Sequence, residues 1–225
     1  MTPLLPETPD AAAVAMLHDA LSGSAAANAL MSWVSMKAAF AFPLLAILCG
    51  VLCLRHRRDG LITFAVLLCL LGSADLLGNG LKHVFVLPRP CFDLKGVLTW
   101  IPDKCGGARR GMPSNHAINF FTVSAFVLFA LRRRWPGIVL LALSCLVGVS
   151  RIYLGRHYPS QVFAGAAIGL TWGALGAFVF SRFAVGKRMC DTAPPSAGGP
   201  VPAPSSPTGT GSSSSGSSSL TKDPT

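Results

Sequence analysis

Charged residues are scarce in this chain, and acidic ones are the scarcest. Only 12% of its 225 residues are charged, and 9 acidic side chains stand against 19 lysines and arginines. Soluble globular domains contain about 25% charged residues, so the composition excludes an ordinary soluble domain. The few acidic residues also form no cluster in the sequence that would hold a metal ion.

Long apolar runs make up much of the chain. Hydrophobic residues make up 51% of the chain, which indicates an integral membrane protein. Five apolar stretches are long enough to cross a bilayer as helices. These predicted spans are residues 31–54, 61–81, 112–131, 137–154 and 160–182. The sequence therefore predicts an all-α fold, an integral membrane helical bundle with about five transmembrane helices.

The two ends of the chain differ from the predicted bundle of residues 31–188. In the N-terminal segment 1–30, residues 11–30 are rich in alanine and weakly amphipathic, which predicts a helix lying at the membrane interface. Residues 189–225 are rich in serine, proline and glycine. Such a tail buries too little apolar surface to offset its chain entropy, so we expect it to be disordered.

The formal net charge of +10 comes from basic residues that cluster in short loops beside the apolar runs. This pattern fits orientation in a bilayer better than nucleic-acid binding, which we do not expect. Basic clusters follow the first, third and fifth spans, so these spans and the tail are predicted to end in the cytoplasm. Residues 82–111 and 155–159 then lie on the outer face, which for a multi-pass protein of a bacterial inner membrane is the periplasm.

Three polar blocks lie on this outer face at the ends of the predicted spans. In the first block, Lys82 closes the second span and Arg89 follows, with Pro90 stopping the helix. A single Lys or Arg at a span end usually reaches to the membrane interface. Together, however, an ammonium and a guanidinium can be directed at one anion, and the guanidinium can bind two oxygens at once.

The second block, Pro113-Ser114-Asn115-His116, opens the third span. The start of a helix presents unpaired backbone amides and the positive end of the helix dipole, and this arrangement binds phosphate. Ser114 alone could be only an N-cap. His116, in contrast, can protonate a leaving oxygen near neutral pH.

The third block consists of Ser150-Arg151, which closes the fourth span, and His157 in the following turn. A lone loop histidine is more often a surface residue than a nucleophile. Here it joins a second histidine and three cations on the same face. Such a set could bind phosphate oxygens, attack phosphorus and protonate the departing oxygen. The blocks together therefore predict phosphoryl transfer.

The spacing of these blocks resembles the type 2 phosphatidic acid phosphatase (PAP2) superfamily, which is related to the vanadium haloperoxidases. The family pattern is Lys, six residues, Arg-Pro; then Pro-Ser-Gly-His; then Ser-Arg, five residues, His, three residues, Asp. The resemblance implies a phosphatase without metal or other cofactor, in which His157 forms a phosphohistidine and His116 is the general acid. The phosphate ligands that it implies are Lys82, Arg89, Ser114 and Arg151.

Two positions depart from the family pattern. Asn115 stands where the family has Gly, adding a side chain beside a phosphate-binding backbone amide, which could narrow the headgroup space. Gln161 replaces the carboxylate that orients the nucleophilic histidine. Its amide oxygen can still accept a hydrogen bond from the His157 ring, but it carries no charge to stabilise an imidazolium. We count Gln161 with the catalytic residues and Asn115 with the phosphate-binding ones.

The sequence around the second block also resembles bacterial undecaprenyl-diphosphate phosphatases. We therefore expect hydrolysis of a lipid phosphate or diphosphate, with undecaprenyl diphosphate as the substrate and the bilayer as its source. Alternatives are a lipid A phosphatase, a phosphatidate or phosphatidylglycerophosphate phosphatase, a lipid phosphotransferase and, favoured by Gln161, a non-catalytic lipid-phosphate binder. No protein partner can be inferred.

Two cysteines, Cys91 and Cys105, lie in the predicted outer loop. An oxidising compartment would let them form a disulfide that braces the segment carrying Arg89. Two free thiols are the alternative, because the sequence does not show whether the pair is within bonding distance.

Overall fold

The computed structural model describes residues 8–95, 100, 109–131 and 134–191, all within one compact unit, 1–192. Helices dominate these residues, and the predicted all-α class is confirmed. In chain order they are α1 (Pro9–Ser22), α2 (Ala25–Val34), a π-helical turn (Lys37–Ala41), α3 (Phe42–Val84), α4 (Pro90–Asp93), α5 (Asn115–Ala130), α6 (Trp135–Tyr153), α7 (Pro159–Phe180) and α8 (Ala184–Asp191). The disordered tail was predicted to start at residue 189, but residues 189–191 belong to α8 and Met189 is buried. The rest of the predicted tail lies outside the described residues.

Helix α3 is a helical hairpin and not one straight rod. Arg57, in its middle, has φ 47° and ψ −117°, a non-helical conformation. The carbonyl oxygen of Leu52 approaches Gly60 so closely that a Cβ there would collide with it. In a straight helix these residues would be about 12 Å apart along the axis. The chain therefore reverses at Arg57, and glycine at position 60 permits the close approach of the two arms.

The apolar helices correspond to the five predicted spans. Ala39–Val84, Trp135–Tyr153 and Pro159–Phe180 are long and apolar enough to cross a membrane, and Asn115–Ala130 is a shorter apolar helix. The 46 residues of the first exceed the roughly 20 that one crossing needs, and the reversal at Arg57 divides them into two arms. The prediction that the first span starts at residue 31 was wrong, because residues 31–34 belong to α2, which ends at Val34.

The N-terminal segment forms two helices where the sequence predicted one over residues 11–30. Helix α1 ends before Gly23, and Ser24 begins α2 by accepting a hydrogen bond from the backbone N–H of Ala27 at 3.3 Å. A serine side chain that bonds the backbone locally favours a helix start over a helix interior, which explains the break. Both helices contact α6, so the pair packs on the end of the bundle.

The contact between α5 and α7 is the most extensive one between helices in the described part of the chain. Gly165, Gly169 and Gly173 follow one another at every fourth position of α7 and face the backbone of α5. A Cβ at Gly165 would lie 2.7 Å from the Ser114 carbonyl oxygen, and the other two glycines are even closer to α5. Small residues at this spacing let two membrane helices approach closely. This packing places the start of α5 beside the start of α7.

We predict that Gly169→Ala lowers the stability of the protein, because the added methyl group would collide with the Ile118 carbonyl oxygen of α5. Overpacking of this kind costs about 1–3 kcal/mol. Thermal unfolding in detergent measures the effect. Gly72→Ala is the matched control, since a Cβ at Gly72 meets none of the described residues within 4 Å. Equal unfolding temperatures for the two variants would contradict the assigned contact.

Candidate active site

The three polar blocks converge on one cavity of about 720 Å³. The arrangement follows from the fold, because five segments lie at the same end of the bundle. They are the last turn of α3, the starts of α4 and α5, the end of α6 and the turn before α7. Of the eight predicted site residues, six line this cavity: Lys82, Arg89, Asn115, His116, Arg151 and His157. Ser114 and Gln161 lie behind its wall and are buried.

The cavity is basic, because the described residues that line it include one carboxylate, Asp75, and four cations: Lys82, Arg89, Arg151 and Arg156. Arg89 and Arg151 are 8% and 6% exposed. Burial, together with the nearby Arg156, lowers the pKa of the Arg89 guanidinium. Buried cations beside one another are unfavourable unless an anion compensates them. The cavity is therefore suited to a multiply charged anion such as a phosphate.

His157 is 2% exposed, and its pKa lies well below the usual value for histidine. Burial is the main cause, and the neighbouring charges of Arg151 and Arg89 add to it. The ring is therefore neutral at physiological pH. Its Nδ1 lies 3.1 Å from the Gln161 Oε1, an acceptor, so Nδ1 is assigned the proton. This tautomer leaves a lone pair on Nε2, as a nucleophile requires.

Gln161 links all three blocks through its side chain and backbone. Its Oε1 accepts hydrogen bonds from His157 and, at 3.3 Å, from the backbone N–H of Tyr158, while its Nε2 donates to the Pro88 carbonyl oxygen at 2.7 Å. Its own carbonyl oxygen accepts from the Ser114 N–H at 3.1 Å. An amide can accept and donate at once, and an ionised carboxylate cannot. Gln161 is thus oriented by Pro88 and in turn orients His157.

Asn115 is held by α3. Its Nδ2 donates to the Asp75 carboxylate at 3.0 Å and to the Asn79 side-chain oxygen at 2.8 Å. A Cβ at Gly78 would come within 2.8 Å of the Asn115 Oδ1, so glycine at position 78 makes room for this side chain. The side-chain amide of Asn115 is directed at α3. For the predicted phosphate contact, Asn115 therefore offers its backbone N–H, which lies in the first turn of α5.

Ser114 occupies the N-cap position of α5, but its hydroxyl makes no capping hydrogen bond. The side chain is fully buried, and its Oγ has no hydrogen-bond partner within residues 8–95, 100, 109–131 and 134–191. A buried hydroxyl without a partner is unfavourable. The Ser114 hydroxyl therefore does not act as a helix cap, and its role as a phosphate ligand stays a prediction.

The loop that carries Arg89 is anchored to the turn between α6 and α7. The backbone N–H of Cys91 donates to the Gly155 carbonyl oxygen at 3.0 Å, which brings Arg89 close to the third block. Cys91 is disulfide-bonded. Cys105 lies outside the described residues, and the Cys91–Cys105 pairing stays a prediction.

One wall of the cavity was not predicted from the sequence. It is formed by the C-terminal end of α2 and includes Ser32, Ser35 and Met36. The Ser35 hydroxyl accepts a hydrogen bond from the Arg151 Nη1 at 2.6 Å. No local signal distinguishes Ser35 from an ordinary helix-end serine, because its partner is 116 residues away in the chain. The described part of the chain contains no group of three or more His, Cys, Asp or Glu side chains that could hold a metal ion.

We predict that Gln161→Glu destabilises the protein at pH 8, because a carboxylate offers no hydrogen to the Pro88 carbonyl oxygen and repels it. Leaving that partly buried acceptor unpaired costs about 1 kcal/mol. Below the pKa of the new carboxyl group, the protonated acid can donate the bond again. The deficit in unfolding temperature relative to wild type should therefore be smaller at pH 5 than at pH 8. A variant as stable as wild type at pH 8 would contradict the assigned role of the amide.

Comparison of the sequence with known proteins identifies its family. Residues 63–184 match the PAP2 superfamily. The chain is 34% identical over 101 residues to the lipid A 4'-phosphatase of Bacteroides thetaiotaomicron, with 45% of this chain and 44% of that protein covered. It is 35% identical over 114 residues to the undecaprenyl-diphosphatase BcrC of Bacillus subtilis, with 50% and 53% covered. The chain spans about half the length of these curated relatives.

The fold is also similar to a solved structure, the transmembrane PAP2 type phosphatidylglycerolphosphate phosphatase from Bacillus subtilis. The TM-score is 0.58 at 23% identity, with 79% of this chain and 89% of that chain covered. At this identity the likeness shows the fold alone. The family match covers more than half of the sequence and includes all three polar blocks, from Lys82 to His157. The chain therefore belongs to the PAP2 superfamily.

Proposed function

We propose that this chain is a membrane phosphatase that hydrolyses a lipid phosphate or diphosphate through a phosphohistidine intermediate, with undecaprenyl diphosphate as the substrate. The observation that carries the proposal is the meeting of His157, His116 and the cations Lys82, Arg89 and Arg151 around one cavity. This arrangement supplies a nucleophile, an acid and the counter-charge for a phosphoryl group in a single site.

In the first step, the Nε2 of His157 attacks phosphorus and forms a P–N bond while the bond from phosphorus to the leaving oxygen breaks. His116 gives its proton to that oxygen, so the lipid leaves protonated. The imidazole of His157 keeps its Nδ1 proton, held by Gln161. In the second step, water attacks phosphorus, His116 accepts its proton, and cleavage of the P–N bond releases inorganic phosphate and restores both histidines.

The cationic groups bind the non-reacting oxygens of the phosphoryl group during both steps. Lys82, Arg89 and Arg151 line the cavity from three different elements, and the first-turn amides of α5 add neutral donors. Arg156, a further cation on the cavity wall, supports a headgroup with more than one phosphate. This feature favours a diphosphate over a monophosphate.

A second cavity supports a lipid as the substrate. It has a volume of about 170 Å³, lies between the first arm of α3 and helices α5 and α6, and shares His116 with the polar cavity. Its walls are almost entirely apolar and include Leu45, Leu48 and Val123. A molecule with its phosphate beside His116 could therefore place the adjoining hydrocarbon in this second cavity.

The basic loops support a periplasmic site. Arg57 lies at the turn of α3, and the second arm of α3 extends from there to Lys82 at the cavity. That arm has the length of a full membrane crossing. With the basic turn in the cytoplasm of a bacterium, as the positive-inside rule favours, the cavity faces the periplasm.

We predict that His157→Ala abolishes phosphate release by the purified protein in detergent containing a metal chelator, with a loss of more than about 10³-fold, because the nucleophile is gone. His83→Ala is the matched control, since His83 is exposed and bonds Arg110. Release of ³³P-phosphate from labelled lipid measures both. Unchanged turnover in His157→Ala would refute the assigned nucleophile.

The same assay distinguishes the related activities when it is run on a polyprenyl diphosphate, phosphatidate, phosphatidylglycerophosphate and lipid A. Faster release from the polyprenyl diphosphate supports the proposed substrate. Label recovered in a second lipid indicates a phosphotransferase. Headgroup binding that depends on Arg89 and Arg151, with no release from any lipid, indicates a non-catalytic binder and refutes the proposal.

We predict that Leu45→Trp impairs hydrolysis of a long-chain lipid diphosphate and spares hydrolysis of a short-chain, water-soluble one, because the indole fills the apolar cavity and leaves the polar cavity open. The expected change is a roughly tenfold lower kcat/KM for the long-chain substrate, equal to about 1.4 kcal/mol. Ile47→Trp is the control on the same arm, where the side chain is 63% exposed. Equal losses on both substrates would contradict the assigned cavity.

A further inference from the structure

The C-terminal end of α2 lies in the wall of the phosphate cavity, although it precedes the part of the chain that matches the family. Ser32, Ser35 and Met36 line this cavity together with Arg151 and His157. The family match begins at residue 63. The three motif blocks therefore leave one wall of the site unaccounted for, and the N-terminal helices supply it.

The closest contact of this wall is the hydrogen bond from the Arg151 Nη1 to the Ser35 Oγ, at 2.6 Å. Both side chains are buried, at 6% and 8% exposure. A guanidinium is a rigid planar fork with five N–H donors, so one firm hydrogen bond restricts the direction of all the others. The Arg151 Nε is buried with no partner in the described part of the protein, and Arg151 lines the cavity.

Further contacts hold Ser35 in place by attaching α2 to α6 on both sides of Arg151. Val34 packs against Val147, one turn before the arginine, in a buried apolar cluster. The Tyr153 hydroxyl, two residues after the arginine, donates a short hydrogen bond to the Asn28 side chain. Helix α2 thus lies along the last turns of α6 and places the Ser35 hydroxyl opposite the guanidinium.

We propose that Ser35 is a positioning residue of the phosphate site and that α1 and α2 are structural parts of that site. The Ser35 hydroxyl holds the Arg151 guanidinium in the orientation that a phosphate group needs. Because the hydroxyl oxygen accepts from Arg151, its own hydrogen can be donated to a phosphate oxygen at the cavity wall. This inference rests on the proposed phosphate-binding role of the cavity.

The test compares wild type with Ser35→Ala, which removes the hydroxyl, and Ser35→Thr, which keeps it. Ser24→Ala is the structural control, because Ser24 caps α2 and lies away from the cavity. The dissociation constant for orthovanadate, a phosphate mimic, is obtained from the rise of unfolding temperature with vanadate concentration. KM and kcat for phosphate release from a polyprenyl diphosphate are measured on the same preparations.

Ser35→Ala should weaken vanadate binding about tenfold and raise KM by a similar factor with a smaller change in kcat, while Ser35→Thr stays within about twofold of wild type. Ser24→Ala should lower the unfolding temperature without changing vanadate affinity. Equal affinity of Ser35→Ala and wild type would overturn the inference, as would an equal loss of affinity in Ser24→Ala. If no lipid is hydrolysed but vanadate affinity still depends on Ser35, the proposed activity fails and the inference stands.

Discussion

The close contact between α5 and α7 is the constraint on which the rest of the site depends. It exists because the glycines of α7 at positions 165, 169 and 173 let the two helix backbones nearly touch. Helices this close bring the first residue of one beside the first residue of the other, and the Ser114 N–H reaches the Gln161 carbonyl oxygen. The residues proposed to bind the phosphate and the residue that orients His157 are thereby held in one rigid frame.

Within this frame the site concentrates positive charge where burial makes charge unfavourable. Arg89 and Arg151 are almost inaccessible to solvent and face the same cavity. Such an arrangement is destabilising when it is empty and favourable with an anion bound, because one phosphate compensates several cations at once. The low pKa of His157 has the same origin, since burial and the neighbouring cations disfavour an imidazolium. The cations that make the cavity suited to an anion therefore also keep the His157 ring neutral.

The sequence predicted much of this site because its chemistry is local. Lys82, Arg89, His116, Arg151 and His157 were identified from short blocks at the ends of apolar runs, and the structure brings all of them to one cavity. The helix ends that carry these blocks lie on the same side of the bundle, since antiparallel helices of similar length place alternate termini on the same face. The single predicted helix over residues 11–30 and the first span from residue 31 were wrong, because hydrophobic periodicity does not locate helix breaks.

The sequence by itself determined the membrane-spanning class, the number of apolar helices and the chemical groups of the site, since composition, run length and motif spacing are properties of neighbouring residues. Only the tertiary structure decided that Gln161 donates to Pro88, that Asn115 is directed at Asp75, and that α2 forms one wall of the cavity. Each of these depends on contacts between residues far apart in the chain. Their geometry is set by helix packing, which no local pattern in the sequence encodes.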